Sequence, residues 1–445
     1  MDRSSSYALC QRDLLPFVRI VAASAYWVRR LPVQSTRCPG NEISGSTGST
    51  SAAVLTALVY APYTFNGQGP SASCMNIISN FTHGLTAEVH AARVRTSATG
   101  PVTLIPSITS PMRLLPWGAV RGRALSKLNV DFAKATDRAD PNRTVAYFWP
   151  NSPVDLIRHA KSLGILTIRE MINSACATSR EILIHANARL GMRASGLSSA
   201  DKVASEIKEL QLYDFIFASN PEVEASLTSI GIPKENILRT SFGWDSRRFD
   251  GSAGMEGVPT PRFIFVGTLG VRKGIPDLLE AWRLAGVDGE LVLVGAAESA
   301  DINRIVQGHT RTGRIRAVGH VDDVGPLLRS ADVFVFPTLE EGGPQVTYEA
   351  AGCGLPIITT KMGAARLVSD GVNGIIVEPG AVRQLADAIR MLASRPDLRI
   401  HYGEAARRDS ARFTYESVGA QRSGLITDAW RKRHGKAGAT GQIGN

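Results

Sequence analysis

The sequence predicts an α/β protein of two doubly wound domains, each a parallel sheet with helices on both faces. Three observations predict it. The chain has 445 residues, too many for one ordinary domain and enough for two of about 200. Short runs rich in Val, Ile and Phe alternate with helical patterns through most of its length. Several of these runs end in a glycine-containing turn that opens directly into a helix, a connection typical of open parallel sheets. The expected limits are a first domain at 51–245 and a second at 246–415. A helix at 416–433 then crosses back onto the first, with loose residues at 1–50 and 434–445.

Residues 1–50 are rich in Ser, Arg and Gly and end in GNEISGSTGST. They read as disorder or as an appended helix at 11–28; an over-extended start site is another explanation. The first strand is expected at Val54–Tyr60. It runs into Tyr63–Ser71, where Gly67 and Gly69 permit a tight turn, and a helix follows to about His83. A lone glycine loop of this kind is a weak signal, and a plain strand-to-helix turn is the favoured reading of it. Further strands are expected at Thr103–Ile108, Thr144–Phe148, Ile165–Ile168 and Phe215–Ala218. Helices are expected at Val154–Leu163, Cys176–Leu190 and Asp201–Leu212. Arg169, Glu170 and Asn173 fall just past a strand end, the edge where open α/β sheets bind ligands. Mutual pairing of Arg169 and Glu170 is the structural alternative. Phe242–Asp245 is expected at the hinge between domains.

The second domain opens with the strand Arg262–Gly267, the turn Thr268–Gly274 and a helix at Pro276–Ala285. Lys273, just before that helix, can reach a phosphate; a solvated lysine is the plain alternative. Strands follow at Leu291–Gly295 and Ile315–His320. The stretch 332–359 then gives a short apolar strand, Pro337, the turn Thr338–Gly343 and a helix from Pro344 to about Cys353. Pro356 starts the next strand. A glycine-rich turn into a helix N-terminus favours an anion. Glu341 lies at the mouth of this turn and Glu349 about two helical turns further on, while Glu340 is expected in solvent. Closing helices are expected at 381–394 and 397–410.

Composition bounds the rest. The formal charge of +10 suggests anionic surfaces, but no basic run with interleaved aromatics argues for nucleic acid. A peripheral contact with an anionic membrane is the expected use of that charge. The five cysteines (Cys10, Cys38, Cys74, Cys176, Cys353) are scattered, odd in number and without a C-x-x-C pair, which suits reduced thiols of a cytoplasmic protein. No apolar run reaches the length of a membrane span: 14–28 is broken by Arg19, and Ala52–Tyr63 is short and lacks a basic flank.

The stretch Pro337, Glu341-Gly342, Glu349-Ala350 and Gly354-Leu355-Pro356-Ile357-Ile358 resembles the signature of retaining glycosyltransferases of family 4 (glycosyl transferases group 1, GT-B fold). The resemblance covers roughly 54–433 and is specific in the second domain, loose in the first. It departs from the family at Gly343-Pro344, where Phe-Gly is frequent, and at Thr268, where an arginine is usual. The second departure removes one diphosphate cation unless Arg272 supplies it. The resemblance implies two Rossmann-like domains facing a central cleft, with a nucleotide-diphosphate sugar as donor on the second. A saccharide or lipid-linked acceptor would lie on the first, near Arg169, Glu170 and Asn173. It implies that Lys273 and the helix start at Gly342, Gly343 and Gln345 neutralise the diphosphate. Glu341 would hold the transferred sugar, and Glu349 the ribose. The loop at His320 and Val321 would hold the base through backbone groups, with Gly67 and Gly69 close to the diphosphate. Glu341 and Lys273 carry the chemistry on this reading, without a cofactor, and with no metal because no Asp-x-Asp stands in a suitable place. The setting would be cell-surface polysaccharide or glycolipid synthesis, in the cytoplasm or at the inner face of the membrane. Two alternatives stand beside it. A GT-B-like nucleotide-sugar epimerase would need converging acid and base groups near the sugar. A non-catalytic nucleotide-sugar binder is the reading that Thr268 suggests.

Overall fold

The structure, a computed structural model, describes residues 55–439 apart from 110, 195, 250–259 and 312, with side chains to 434. The expectations for residues 1–50, including Cys10 and Cys38, lie outside the described residues.

The first sheet forms from β1 (Leu55–Phe65), which leads through a turn into α1 (Gly69–Ile78), then β2 (Leu85–Val94) and β3 (Val102–Pro106). After α2 (Trp117–Arg138) come β4 (Thr144–Phe148), α3 (Val154–Ser162) and β5 (Leu166–Glu170). Then follow α4 (Cys176–Arg189), α5 (Ala200–Leu210), β6 (Phe215–Ala218), α6 (Pro221–Ser229) and β7 (Ile237–Arg239). All pairings are parallel, in the order β3-β2-β1-β4-β5-β6-β7. Apolar cores cover both faces, one holding Val59, Tyr147 and Phe217, the other Tyr60, Phe132 and Phe148. Burial on both faces explains why these strands read as continuous apolar runs rather than as alternation.

The short helix α7 (Ser246–Phe249) precedes the second sheet, which begins with β8 (Arg262–Val266), α8 (Ile275–Ala285), β9 (Glu290–Val294) and α9 (Ala300–Thr310). β10 (Ile315–Gly319), α10 (Gly325–Arg329), β11 (Val333–Phe336), α11 (Gln345–Gly352) and β12 (Ile357–Thr359) follow. The chain ends through α12 (Lys361–Ala364), β13 (Gly374–Ile376), α13 (Val382–Ser394), α14 (Pro396–Ser410) and α15 (Tyr415–Ala439). This sheet is also wholly parallel, ordered β10-β9-β8-β11-β12-β13. The predicted class, two doubly wound α/β sheets, is therefore the fold observed.

Several elements were not anticipated, β2 and α2 among them. β2 carries Glu88 and His90 mid-strand, which hides its apolar pattern; the two side chains satisfy each other at 2.7 Å. α2 has a narrow apolar stripe, Val120, Ala124, Leu128, Phe132 and Thr136, on an otherwise polar surface. The last helix also continues to Ala439, beyond the expected stop at 433.

Two passages join the domains, and they lie side by side. The Trp244 N–H donates to the Phe413 carbonyl (3.1 Å), and the Tyr415 N–H to the Trp244 carbonyl (3.1 Å). The Trp244 indole donates to the Ser410 carbonyl (2.8 Å). From there α15 runs against α1, where the Thr82 N–H donates to Ser423 Oγ (2.9 Å). It also inserts Arg422 into the first domain, fully buried against Glu170.

Candidate active site

In the second sheet the strand order reverses beside β8, whose neighbours are β9 and β11. The loops leaving β8 and β11 therefore diverge and leave a crevice at their carboxyl ends, the place where open α/β sheets bind ligands. Both loops carry the residues singled out from the sequence. They are also bonded to each other: the Leu339 N–H donates to the Arg272 carbonyl (2.8 Å), and Thr338 Oγ1 to the same oxygen (3.3 Å). Gly274 is held at φ +72°, and a Cβ there would overlap the Pro337 carbonyl, so glycine is required where the two loops touch.

This contact assembles four charges. Lys273 Nζ is in direct ion contact with Glu341, and Arg272 Nη1 lies 3.4 Å from Glu340 Oε2 and 3.8 Å from Glu341 Oε1. Thr338 Oγ1 also lies 3.3 Å from Glu341 Oε1. Burial pushes the Lys273 ammonium down to about 7, and Arg272 adds to the shift while Glu340 opposes it. Lys273 is thus a nearly buried cation that an incoming anion would stabilise.

Glu340 corrects an expectation. It is not in solvent but buried, and its Oε1 accepts both the N–H (2.9 Å) and the hydroxyl (2.8 Å) of Ser174 in the first domain. The same turn meets the first domain at Gly342, whose carbonyl accepts from Ser219 Oγ (3.1 Å) and where a Cβ would overlap the Ile172 carbonyl. Gly343 lies against the Phe242 ring, and a Cβ there would overlap it. That contact explains why this position, which departs from the usual signature, is glycine.

α11 begins at Gln345, one residue after Pro344. The Gln345 amide accepts from Ser73 Oγ of α1 (3.0 Å) and donates to the Tyr415 hydroxyl. The starts of α1 and α11 therefore meet, which brings the loop of Gly67 (φ +80°) and Gly69 (φ +56°) to the same side of the crevice. Glu349 lies further along α11, half-buried and apart from the Lys273 cluster. Burial pushes its carboxyl up to about 7; Arg248 opposes the shift and Asp323 adds to it. His320 is exposed beyond β10, 3.7 Å from Asp322, with Val321 half-buried beside it.

On the first domain, Arg169, Glu170 and Asn173 border a cavity of about 560 Å³ that Arg272 and Glu340 close from the other side. Arg169 and Glu170 lie within β5 rather than past its end, and they do not pair through their side chains. Arg169 Nε is 3.2 Å from Glu209, and its Nη1 donates to the Glu170 carbonyl (2.8 Å). Glu170 Oε2 is taken by Arg422 and by the Tyr147 hydroxyl, a structural role. Asn173 is exposed. The sequence reading missed Ser174, Glu340 as a buried group, and Arg422. Only Arg422 carried a signal, a lone arginine within a turn of Val418 and Ile426 on the closing helix. Among the described residues, Cys74, Cys176 and Cys353 form no disulfide, and no group of His, Cys, Asp and Glu could hold a metal ion. No described helix is long and apolar enough to cross a membrane.

Residues 260–395, most of the second domain, match the family described as Glycosyl transferases group 1. The capsular polysaccharide biosynthesis glycosyltransferase CapM of Staphylococcus aureus is 26% identical over 233 residues, 50% of this chain and 60% of that protein. The lipopolysaccharide core biosynthesis glycosyltransferase LpsE of Rhizobium meliloti is 29% identical over 196 residues, 43% of this chain and 57% of that one. The match therefore spans six-tenths or less of these curated relatives. Among solved structures, sucrose-phosphate synthase of Thermosynechococcus elongatus aligns over 85% of this chain and 100% of its own (TM-score 0.65, 18% identity). HepE of Anabaena in complex with UDP aligns over 84% and 100% (TM-score 0.59, 16% identity). These likenesses establish the fold as GT-B.

Proposed function

We propose that this protein is a retaining glycosyltransferase of family 4. It moves a hexosyl group from a nucleotide-diphosphate sugar to a hydroxyl of a saccharide or lipid-linked acceptor, in the cytoplasmic synthesis of cell-surface polysaccharide or glycolipid. The observation that carries the proposal is the Arg272–Lys273–Glu340–Glu341 cluster at the reversal point of the second sheet, facing the cavity on the first domain. A diphosphate at the start of α11 would take over Lys273 and Arg272, and Thr268 then needs no cationic replacement. Glu341, released from Lys273, turns to the hydroxyls of the donor sugar. Glu349 holds the ribose, and the loop at His320 and Val321 holds the base. Gly67 and Gly69 admit the diphosphate close to the backbone. The acceptor lies near Asn173, with Arg169 and Glu170 behind it.

In the reaction the bond from the anomeric carbon to the phosphate oxygen breaks while the acceptor oxygen bonds to the same face. The departing phosphate takes the acceptor proton. Positive charge builds on the sugar ring and negative charge on the leaving phosphate, and the cluster, once the donor has rearranged it, supplies both counter-charges. No resident cofactor or metal enters this scheme.

Thermal-shift measurements with UDP, GDP and ADP, each with its common sugar conjugates, test the reading. One base should raise the melting temperature, and its sugar conjugate should be hydrolysed slowly or transferred. A protein that binds none of them is not a nucleotide-sugar enzyme, and one that binds without turnover is a binder.

A further inference from the structure

Between Glu88 and Asp131 the chain contains no carboxylate, yet it contains Arg93, Arg95, Arg113, Arg121, Arg123 and Lys127. Over the whole chain 50 basic residues face 40 acidic ones, so these six make up more than half of the net charge of +10. The structure gathers this stretch at one edge of the first domain, around the entry to α2. There a single 3₁₀ turn, Met112–Leu114, precedes the helix, and Leu114 and Leu115 are 75% and 48% exposed.

These leucines are not left outside by a loose loop. Their backbone is closed by bonds from the Leu114 N–H to the Pro111 carbonyl (3.0 Å) and from the Leu115 N–H to the Met112 carbonyl (3.2 Å). Arg93, itself buried, donates to the Leu115 carbonyl (3.0 Å), and its guanidinium lies 5.9 Å from the centre of the Trp117 ring. The turn is thus pinned to the end of β2 with its two leucines outward. Around it Arg95, Arg113, Arg121 and Arg123 are exposed, and none has an ion-pair partner among the described residues.

We propose that this surface docks on an anionic lipid bilayer, with Leu114 and Leu115 entering the acyl boundary and the arginines meeting lipid phosphates. Exposed apolar side chains flanked by guanidinium groups match both layers of that interface at once. Nucleic acid fits less well, because the patch has one aromatic ring, Trp117, and it is half-buried with the Arg93 guanidinium near it, whereas strand binding uses successive exposed rings. The inference concerns the surface alone, but it gives the proposed acceptor domain a direct route to a lipid-linked substrate.

Co-sedimentation of the full chain with vesicles tests it, using phosphatidylcholine alone or with about one third phosphatidylglycerol. The protein should sediment with the anionic vesicles at about 0.1 M salt, far less at about 0.5 M, and not with the neutral ones. Leu114→Ser with Leu115→Ser should weaken binding roughly tenfold or more. Arg113→Gln, Arg121→Gln and Arg123→Gln together should remove its salt dependence. Each variant should keep its melting temperature and its nucleotide-induced shift, because all five side chains are exposed. No binding to anionic vesicles, or undiminished binding by both variants, overturns the proposal. Loss in the arginine variant with none in the leucine variant also overturns it, assigning the patch to an acidic protein or polymer. Loss of nucleotide binding with vesicle binding intact would count against the glycosyltransferase reading alone.

Discussion

Lys273 is the residue on which the proposed chemistry turns. Its ammonium gives up its proton near 7, whereas an unfolded lysine holds it to about 10.5. Ligand-free stability should therefore rise with pH between those values, because there the unfolded chain binds the extra proton. An anionic diphosphate reverses the shift, so nucleotide binding at about pH 8 should draw a proton from solvent. Calorimetry in buffers of different ionisation enthalpy should show that uptake, and Lys273→Ala should abolish it while weakening nucleotide affinity about tenfold or more. Uptake that survives in the variant would move the diphosphate elsewhere. Glu349 has the opposite sign. Its folded value near 7 lies above the ordinary carboxylate range, so its contribution to stability is full below about 4.5 and fades as pH rises through 7. Nucleotide affinity should rise through the same window as the carboxylate becomes able to accept two ribose hydroxyls, and Glu349→Gln should flatten that rise.

At the scale of elements, the turn from Thr338 to Pro344 does two tasks. It closes the Lys273 cluster, and through Glu340 it latches onto the first domain at Ser174. Glu340→Ala should lower kcat/KM about tenfold with a smaller loss of nucleotide affinity, because it frees both Arg272 and the loop after β5. Glu340→Gln, which keeps an acceptor for Ser174, should recover most of that loss. Wild-type kcat/KM in Glu340→Ala would show that the latch contributes nothing to turnover. The turn also shows what sequence could and could not disclose. The strands β8, β9, β11 and β12 were legible because burial on both faces demands unbroken Val, Ile, Leu and Phe. The glycines, prolines and Lys273 were legible because their chemistry is local. Glu340 and Glu341 are indistinguishable neighbours in one turn, and what separates them is Ser174, 166 positions away. The partner of Glu170 was hidden for the same reason, since Arg422 approaches from the other end of the chain.

For the molecule as a whole, that partnership is the main long-range tie. Arg422 and Glu170 are both fully buried, and the Arg422 guanidinium lies 4.9 Å from the Phe217 ring centre and 5.3 Å from that of Phe242. Arg422→Ala should cost about 3–5 kcal/mol, since it strands a buried carboxylate. Glu170→Leu combined with Arg422→Met should lose much less than the sum of the single changes. Chemical denaturation of the three variants measures both, and additive losses would show that the pair is not coupled. The same tie sets a schedule for the newborn chain. Glu170 leaves the ribosome 252 residues ahead of Arg422, roughly 13–50 s at ordinary rates of synthesis. Through that interval the Glu170 carboxylate of the nascent first domain has the Tyr147 hydroxyl but no counter-charge from Arg422, and the face that α15 will cover stays bare. Translation must nearly finish before the half made first can reach its final form, so for most of its synthesis the polypeptide is a natural client for chaperones.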